Sequence, residues 1–243
     1  LYDWYAKALS DNKQILQRIT NVLVADSAFS KKPFIDNMLG IGFNVVSRLR
    51  HDAALYYLWE GDPTGKPGRP RVKGEKIDFK NIDKSKVAIL DTDESNGQVY
   101  ALKAWCKSLH RKISLVIHIL PKGGHRLYFS TDESMSGRDV MEYYCTRFQI
   151  EFCFRDAKQF VGLTDSQARD TRKLDFAFNS SFTAVNVAKI MCSEYNLSIG
   201  RIKALIINAY YAQRIIDVFE NNPNTQLNHE IVNEIFGFAA DAA

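Results

Sequence analysis

Several features are scarce or absent in this 243-residue sequence, and each absence excludes a class of protein. No run of about 18 apolar residues occurs, so no membrane-spanning helix is predicted, and the first residues lack the pattern of a signal peptide. Neither the four cysteines nor the five histidines have the spacing of metal ligands. Because the net charge is only +4, charge alone does not require a nucleic-acid partner.

The cysteines and the first residue give two further expectations. Cys145 and Cys153 are predicted to be small buried thiols, and the absence of paired cysteine spacing favours an intracellular, reducing compartment. The chain starts at Leu1, and LYDWYAKALSDNKQILQRI has the pattern of a helix already under way. We therefore expect a fragment or the product of a truncated gene.

The first 50 residues predict an α/β unit. Residues 2–20 have helical periodicity, and the apolar run Val22 to Ala25, which ends at Asp26, favours a buried strand. SKKPFIDNMLGIG is predicted to be a short helix capped by Ser30, and FNVVSRLR a second strand. Strand, helix and strand within about 30 residues are typical of an α/β fold.

The middle and the end of the chain differ in composition and in hydrophobic pattern. GDPTGKPGRPRVKGEK contains three of the six prolines and is predicted to be a loop. From KVAILDTDE to HRLYFSTDE the pattern predicts strands, and after about residue 137 it predicts helices. One long helix is expected first, followed by helices at about 174–195, 199–220 and 228–240.

The most informative segment is YYCTRFQIEFCFRDAK, which contains Tyr144, Arg147, Glu151 and Lys158. On one helix, at about 100° per residue, these side chains fall within roughly 60° of one another. A tyrosine, a carboxylate and two cations then form a stripe about 20 Å long, which suits a polyanion with a bound metal ion. The alternative is a solvated helix face, on which pairs such as Arg147 and Glu151 are common.

This spacing resembles the Tyr-Arg-Glu-Lys signature of the insertion-sequence-4 family of DDE transposases. RFQIEFCFRDAKQFVGL also resembles the block that surrounds the signature in that family. The resemblance implies that Glu151 is the last catalytic carboxylate. It further implies that Tyr144, Arg147 and Lys158 face the phosphates at the transposon end, where arginine binds a phosphate bidentately and lysine acts as a point charge.

The resemblance also implies a fold. We expect a mixed α/β chain with a partial RNase H-like fold, a β-rich insertion and a C-terminal helical region. The predicted parts are residues 1–50 as the second part of the core, 51–136 as the insertion with its basic Gly/Pro loop, 137–165 as the signature helix, and 166–243 as the helical region.

Asp26 resembles the second catalytic Asp of the family, because a strand leads into it and a helix follows. With Glu151 it would bind Mg²⁺ or Mn²⁺, so we expect the two carboxylates within about 10 Å of each other. The alternative is that Asp26 only caps the next helix or turns the chain. The first catalytic Asp has no good counterpart and is expected before Leu1; Asp91 and Asp93 are predicted to be turn carboxylates.

Further cations are candidates for DNA contact. Arg155 lies on the signature face, although pairing with Asp156 or Glu151 is equally compatible with its position. The Gly/Pro loop forms a basic arm that either is solvated or contacts phosphates; its cations are Lys66, Arg69, Arg71, Lys73 and Lys76. Trp105 is predicted to be a core residue, with base stacking as the alternative that the resemblance suggests.

The resemblance therefore predicts a metal-dependent DNA transposase that cleaves transposon ends and joins them to target DNA. Its expected partners are the inverted-repeat ends and the target DNA, and it is expected to act as a homodimer in a synaptic complex, in a prokaryotic cytoplasm at the nucleoid. Two other interpretations stay open: an inactive remnant that only binds DNA, and an RNase H-like nuclease. Without the first Asp, the fragment alone is expected to be inactive.

Overall fold

The computed structural model describes residues 2–61, 70–91 and 97–221. The chain divides into two compact units, Leu1–Phe148 and Gln149–Ala243, which are described separately below. The boundaries predicted above, at residues 50, 136 and 165, stay predictions. Within the described residues, no helix has the length and apolar character needed to cross a membrane.

The first unit contains four helices and eight strands among its described residues. The helices are α1 (Tyr2–Asp11), α2 (Lys13–Leu16), α3 (Lys32–Gly40) and α4 (Gly137–Cys145). The strands are β1 (Val22–Val24), β2 (Asn44–Leu49), β3 (Leu55–Leu58), β4 (Lys73–Lys76), β5 (Ala88–Asp91), β6 (Gln98–Cys106), β7 (Arg111–Ile119) and β8 (His125–Ser130). Short 3₁₀ turns lie at Ser27–Phe29 and Lys84–Lys86.

The eight strands form one sheet in the order β1-β2-β8-β7-β6-β3-β4, and β5 pairs with β6. The β1–β2 pair is parallel, as the predicted strand, helix and strand unit requires, and the other pairs are antiparallel. The predicted fold class is confirmed: the chain has a mixed α/β fold with a central, mostly antiparallel sheet, compatible with an RNase H-like transposase fold.

Each face of the sheet is covered by a helix. On one face, α3 contributes Ile35 and Met38 to a core that also contains Leu115 and Phe129, all of them fully buried. On the other face, α4 packs through Val140 against a smaller core of strand residues: Val46, Val99, Val116 and Tyr128. Because both faces are covered, the central strand β7 is buried without a break from Ile113 to Ile117 rather than at alternate residues.

The second unit is helical where it is described. Helix α5 (Phe148–Phe160) begins at the unit boundary, and α6 (Thr171–Tyr195) and α7 (Ile199–Asn221) follow. The helices predicted at 174–195 and 199–220 are thus confirmed to within a few residues. Asp170 caps α6, since its side chain accepts hydrogen bonds from the amides of Arg172 and Lys173. The helix predicted at 228–240 lies outside the described residues.

Four local predictions are wrong. The opening helix ends at Asp11, and a separate short helix, α2, follows. Ser30 does not cap α3, because its hydroxyl pairs with the Ser47 hydroxyl and donates to the carbonyl of Arg48. The end of the Gly/Pro segment forms strand β4. Cys145, the last residue of α4, is exposed rather than buried.

Candidate functional site

Asp26 lies two residues beyond the end of β1, at an edge that the parallel β1–β2 pair defines. Val24 is in register with Val46, and the amide of Ala25 donates to the carbonyl of Val46. The Ser47 hydroxyl then donates to the carbonyl of Asp26. The backbone of Asp26 is therefore held by β2, and the predicted position of this residue after a strand is confirmed.

The two carboxylate oxygens of Asp26 have different environments. Oδ1 accepts hydrogen bonds from the amide of Ala28, at 3.1 Å, and from the hydroxyl of Ser27, at 3.2 Å. Asp26 thus caps the 3₁₀ turn that follows it, as the alternative interpretation of this residue as a cap predicts. Oδ2 lies 3.7 Å from Nη1 of Arg147, and half of the side chain is exposed. A capping role does not prevent this carboxylate from meeting a further ligand.

The site residues Tyr144 and Arg147 do not lie on one continuous helix with Glu151 and Lys158, so that prediction is wrong. Helix α4 ends at Cys145, and α5 begins at Phe148. Between them, the amides of Thr146 and Arg147 donate to the carbonyls three residues earlier, and the Thr146 hydroxyl donates to the carbonyl of Tyr143. A threonine hydroxyl that competes for a backbone carbonyl is a known cause of such an interruption.

Tyr144 and Arg147 nevertheless lie beside Asp26 within the first unit. The Tyr144 ring packs on Tyr128 of β8, with the ring centroids 4.9 Å apart. The guanidinium of Arg147 is 4.6 Å from the ring centroid of Phe148, and only a fifth of the side chain is exposed. Both signature residues thus lie near the carboxylate of Asp26, whereas the sequence predicted them on one face with Glu151.

Arg48 is a further cation at this site, and the sequence interpretation missed it. It is in register with Tyr128, the residue on which Tyr144 packs, and it is exposed. Its charge acts on both Asp26 and Tyr144. The sequence did contain one indication of this position. Arg48 follows Val46 by two residues on β2, the strand that pairs with β1, so the two side chains point to the same face of the sheet.

Hydrogen bonding and charge lower the pKa of the Asp26 carboxyl below its ordinary value of 3.8. The largest cause is the hydrogen bond from the Ala28 amide, followed among the lowering effects by Ser27, Arg147 and Arg48; partial burial opposes them. Burial raises the pKa of the Tyr144 hydroxyl above its ordinary value of 10.0. At neutral pH the site therefore presents an ionised carboxylate beside a neutral phenol and two guanidinium groups.

The order of these causes gives a testable prediction for the metal-free protein. Ser27→Ala is expected to raise the pKa of Asp26 more than Arg147→Gln does, because the Ser27 hydrogen bond ranks above the Arg147 charge. The native contacts favour the ionised form, so their contribution to stability is present above pH 3.8 and is lost as the pH falls through the lowered native pKa. Carboxyl ¹³C NMR titration of the variants measures the order, and the reverse order would contradict the prediction.

Glu151 and Lys158 lie on α5 in the second unit, and both are exposed. Glu151 is in the first turn and Lys158 in the last, which are the favourable ends for an anion and a cation on a helix. Seven residues apart, they share one helix face, about 10 Å apart along the axis. The separation between Asp26 and Glu151 stays a prediction.

The remaining predicted cations have mixed outcomes. Two nitrogens of Arg155 donate to Oδ1 of Asp156, at 3.2 and 2.9 Å, so Arg155 forms the ion pair that was the alternative to DNA contact. Contact of Arg155 with DNA stays a prediction. Arg71 is described: its Cζ lies 3.9 Å from the ring centroid of Trp59, and its Nε donates to the carbonyl of Lys73. Lys66, Arg69 and the candidate carboxylate Asp93 lie outside the described residues.

The donor chemistry of Asp26 fits a hard divalent cation, since an ionised, half-exposed carboxylate is a preferred ligand of Mg²⁺. A complete site would need further ligands. Across residues 2–61, 70–91 and 97–221, no group of three or more His, Cys, Asp or Glu side chains is placed so as to hold a metal ion. A metal ion at Asp26 would therefore need ligands besides this carboxylate.

This mixed α/β fold, with its central, mostly antiparallel sheet, is compatible with an RNase H-like transposase fold. The chain matches the family model described as Transposase DDE domain over residues 7–187, which is more than half of its length. It therefore belongs to the DDE transposase family, whose members bind DNA and generally use divalent metal ions. The comparison with curated proteins gave no match.

Proposed function

We propose that this chain is a metal-dependent DNA transposase of the insertion-sequence-4 type, which cleaves transposon ends and joins them to target DNA. The observation that carries the proposal is the ionised carboxylate of Asp26 at the end of β1, beside Arg147. A chain of the DDE transposase family requires a carboxylate in such a strand-end position. The matched range contains both residues and also Tyr144, Glu151 and Lys158.

In this proposal, Asp26 and Glu151 hold Mg²⁺ or Mn²⁺, and Tyr144, Arg147 and Lys158 bind the phosphates of the transposon end. When bound, two metal ions activate the nucleophile and stabilise the leaving oxygen of an in-line displacement. Arg147 lies close enough to Asp26 to place a phosphate beside the carboxylate, because its guanidinium has several donors in a rigid fork. Arg48 adds a second cation on the same side.

The chemistry is direct phosphoryl transfer without a covalent enzyme intermediate. In the first step, a water oxygen bonds to the scissile phosphorus, the bond to the 3′-oxygen breaks, and that oxygen leaves as a 3′-hydroxyl after protonation. In the second step, the 3′-hydroxyl attacks a phosphodiester of the target DNA and releases a new 3′-hydroxyl there. Atoms balance in both steps, and the role of the cations is to orient phosphates and offset their charge.

The DNA contacts are tested by replacing single cations. Arg147→Gln and Lys158→Gln are each expected to weaken binding to terminal DNA and to lower the slope of log K against log salt by about 0.9, since each removes one released counterion. Fluorescence anisotropy with a labelled terminal duplex, at several salt concentrations and in EDTA, measures both quantities.

The matched control is Lys203→Gln, an exposed lysine of α7 that has no part in the proposal. It is expected to leave the affinity and the slope unchanged. If Arg147→Gln and Lys158→Gln behave like this control, the two cations are structural and the proposed DNA-facing role is wrong.

A second candidate function is a DNA-binding protein without nuclease activity. The observation that favours it is that the described residues offer no three-ligand metal group. Two Mg²⁺ ions carry four positive charges, and Asp26 and Glu151 together supply only two negative ones. Under this second candidate function, the 243-residue chain binds DNA, as a homodimer on paired ends, and leaves it uncleaved. Cleavage by this chain would make Asp91 and Asp93 the next carboxylates to replace.

A further inference from the structure

A second basic surface lies in the first unit, on strands β3, β4, β6 and β7. Its centre is a row of four side chains in register across four strands. Lys76 pairs with Tyr56, Tyr56 with Trp105, and Trp105 with Lys112. Residues paired in this way point to the same face of an antiparallel sheet, so the four side chains form one line, here called the lysine row.

An irregularity in the β3–β4 pair adds a third lysine to this line. The register shifts between Tyr56 and Leu58, so that Lys73 pairs with Leu58 while Lys76 pairs with Tyr56. Two lysines three positions apart would point to opposite faces of a regular strand, but the shift brings both to the face of Tyr56. Gly74 permits the close approach, since a Cβ there would lie 3.0 Å from the carbonyl oxygen of Leu58.

The aromatic rings of the row are covered by a lysine instead of being open to a base. Nζ of Lys73 lies 5.7 Å from the ring centroid of Tyr56 and 5.9 Å from that of Trp105. Both rings are half-buried, whereas Lys73, Lys76 and Lys112 are exposed. The rings thus hold an ammonium group by cation–π attraction, and the surface presents positive charge rather than flat ring faces.

The charged residues of these four strands are mostly basic. Their basic residues are Lys73, Lys76, Lys103, Arg111 and Lys112, and their one acidic residue is Glu75. Arg111 is paired with Asp36 of α3, so it does not contribute a free charge to this surface. Lys103 precedes Trp105 by two residues and adds a further cation on its face.

We propose that the lysine row is a binding surface for the phosphate backbone of duplex DNA, additional to the contacts near Asp26; this inference rests on the proposed DNA transposase function. The row spans three strand spacings, about 14 Å. That span is comparable with the roughly 12 Å width of the major groove, so Lys76 and Lys112 reach phosphates on both sides of it. Backbone contact of this kind positions a duplex without reading its sequence.

The test is a triple variant, Lys73→Gln, Lys76→Gln and Lys112→Gln, in the full chain. Its binding to a labelled duplex of arbitrary sequence is measured by anisotropy in EDTA between 50 and 200 mM salt. Losing three phosphate contacts is expected to lower the slope of log K against log salt by about 2.7 and to weaken binding by roughly 100-fold at about 0.1 M salt.

The matched control replaces three exposed lysines outside the row, Lys84, Lys107 and Lys122, by glutamine. It removes the same charge and is expected to lower the slope by less than one. Circular dichroism and thermal melting verify that both triple variants are folded. If the two variants have equal slopes, only net charge matters and the lysine row is not a binding surface.

Two further comparisons distinguish failure of this inference from failure of the proposed function. An oligo-dT single strand is expected to lose less affinity than the duplex in the row variant, and a larger loss for the single strand would overturn the assignment to duplex DNA. If the unaltered chain binds the duplex and the row variant binds it equally well, this inference fails and the proposed function stands. If the unaltered chain binds no DNA, the proposed function fails as well.

Discussion

Mg²⁺-dependent cleavage of transposon-end DNA is expected to fall by about 10³-fold when Glu151 is replaced by Gln. The physical reason is that glutamine keeps the size of the side chain but removes the negative charge that a metal ligand needs. A bound metal ion contributes several kcal/mol of transition-state stabilisation, and each 1.4 kcal/mol is a factor of ten in rate. DNA binding in EDTA is expected to be unchanged, because the substitution removes no cation.

Asp26 and Glu151 would supply only two negative charges to two Mg²⁺ ions, so cleavage is measured in a variant with a third carboxylate. One is supplied by joining, ahead of Tyr2, a strand that ends in aspartate from another member of the DDE transposase family. This extended chain is expected to release 3′-hydroxyl ends with Mg²⁺, and Asp26→Asn and Glu151→Gln are each expected to slow the release by about 10³-fold. Glu194→Gln, at an exposed glutamate of α6, is the matched control and is expected to be active.

Two results would contradict the assignment of these carboxylates. Cleavage by the Glu151→Gln variant at the unaltered rate would exclude Glu151 as a ligand. Loss of DNA binding in EDTA together with loss of cleavage would mean that the substitution disturbs the fold or the DNA contacts. Mn²⁺ binding followed by electron paramagnetic resonance gives an independent readout, since loss of a shared ligand weakens it in both variants.

The sequence could predict the unit formed by β1, Asp26, α3 and β2, because the patterns that indicate it are local. An apolar run, a following aspartate and a helix with proline at its start are readable within about 30 residues. Parallel pairing then follows from chain geometry, since a helix between two neighbouring strands brings their ends to the same edge. Both the fold class and the position of Asp26 depend on these short-range patterns.

The interruption after Cys145 could not be predicted from the spacing of the signature. Spacing shows which residues would share a face of a continuous helix, but it does not show whether the helix is continuous. The interruption depends on the hydroxyl of Thr146 and on the packing of α4 against the sheet. Arg147 reaches Asp26 from the turn between two helices, and this position becomes visible only when the tertiary contacts are known.

Strand β4 escaped prediction for a different reason. Its sequence, KGEK, has low strand propensity and follows a segment rich in glycine and proline. The strand forms because Tyr56 and Leu58 of β3 offer an unpaired edge, which local composition cannot report. The lysine row depends on the same long-range pairing, so none of its cross-strand contacts could be read from the sequence.

Substitution of Gly137 by alanine is expected to destabilise the first unit by about 1–3 kcal/mol, the range for overpacking a core. Gly137 is the first residue of α4 and is buried against the sheet. A Cβ at this position would lie 2.5 Å from Cβ of Ala101, 2.7 Å from Cδ1 of Leu90 and 3.3 Å from Cγ2 of Val116. All three distances are below ordinary van der Waals contact and two are below 3.0 Å, so α4 is expected to move away from the sheet.

Movement of α4 is also expected to displace Tyr144 and Arg147 from Asp26, because α4 and the turn after it hold both residues. We therefore expect Gly137→Ala to weaken terminal-DNA binding in addition to lowering the melting temperature by several degrees. Gly40→Ala is the matched control: Gly40 ends α3 with no atom within 4 Å of the added Cβ, so stability and DNA binding should be kept. Equal melting temperatures and affinities for the two variants would show that close approach of α4 to the sheet does not position the site.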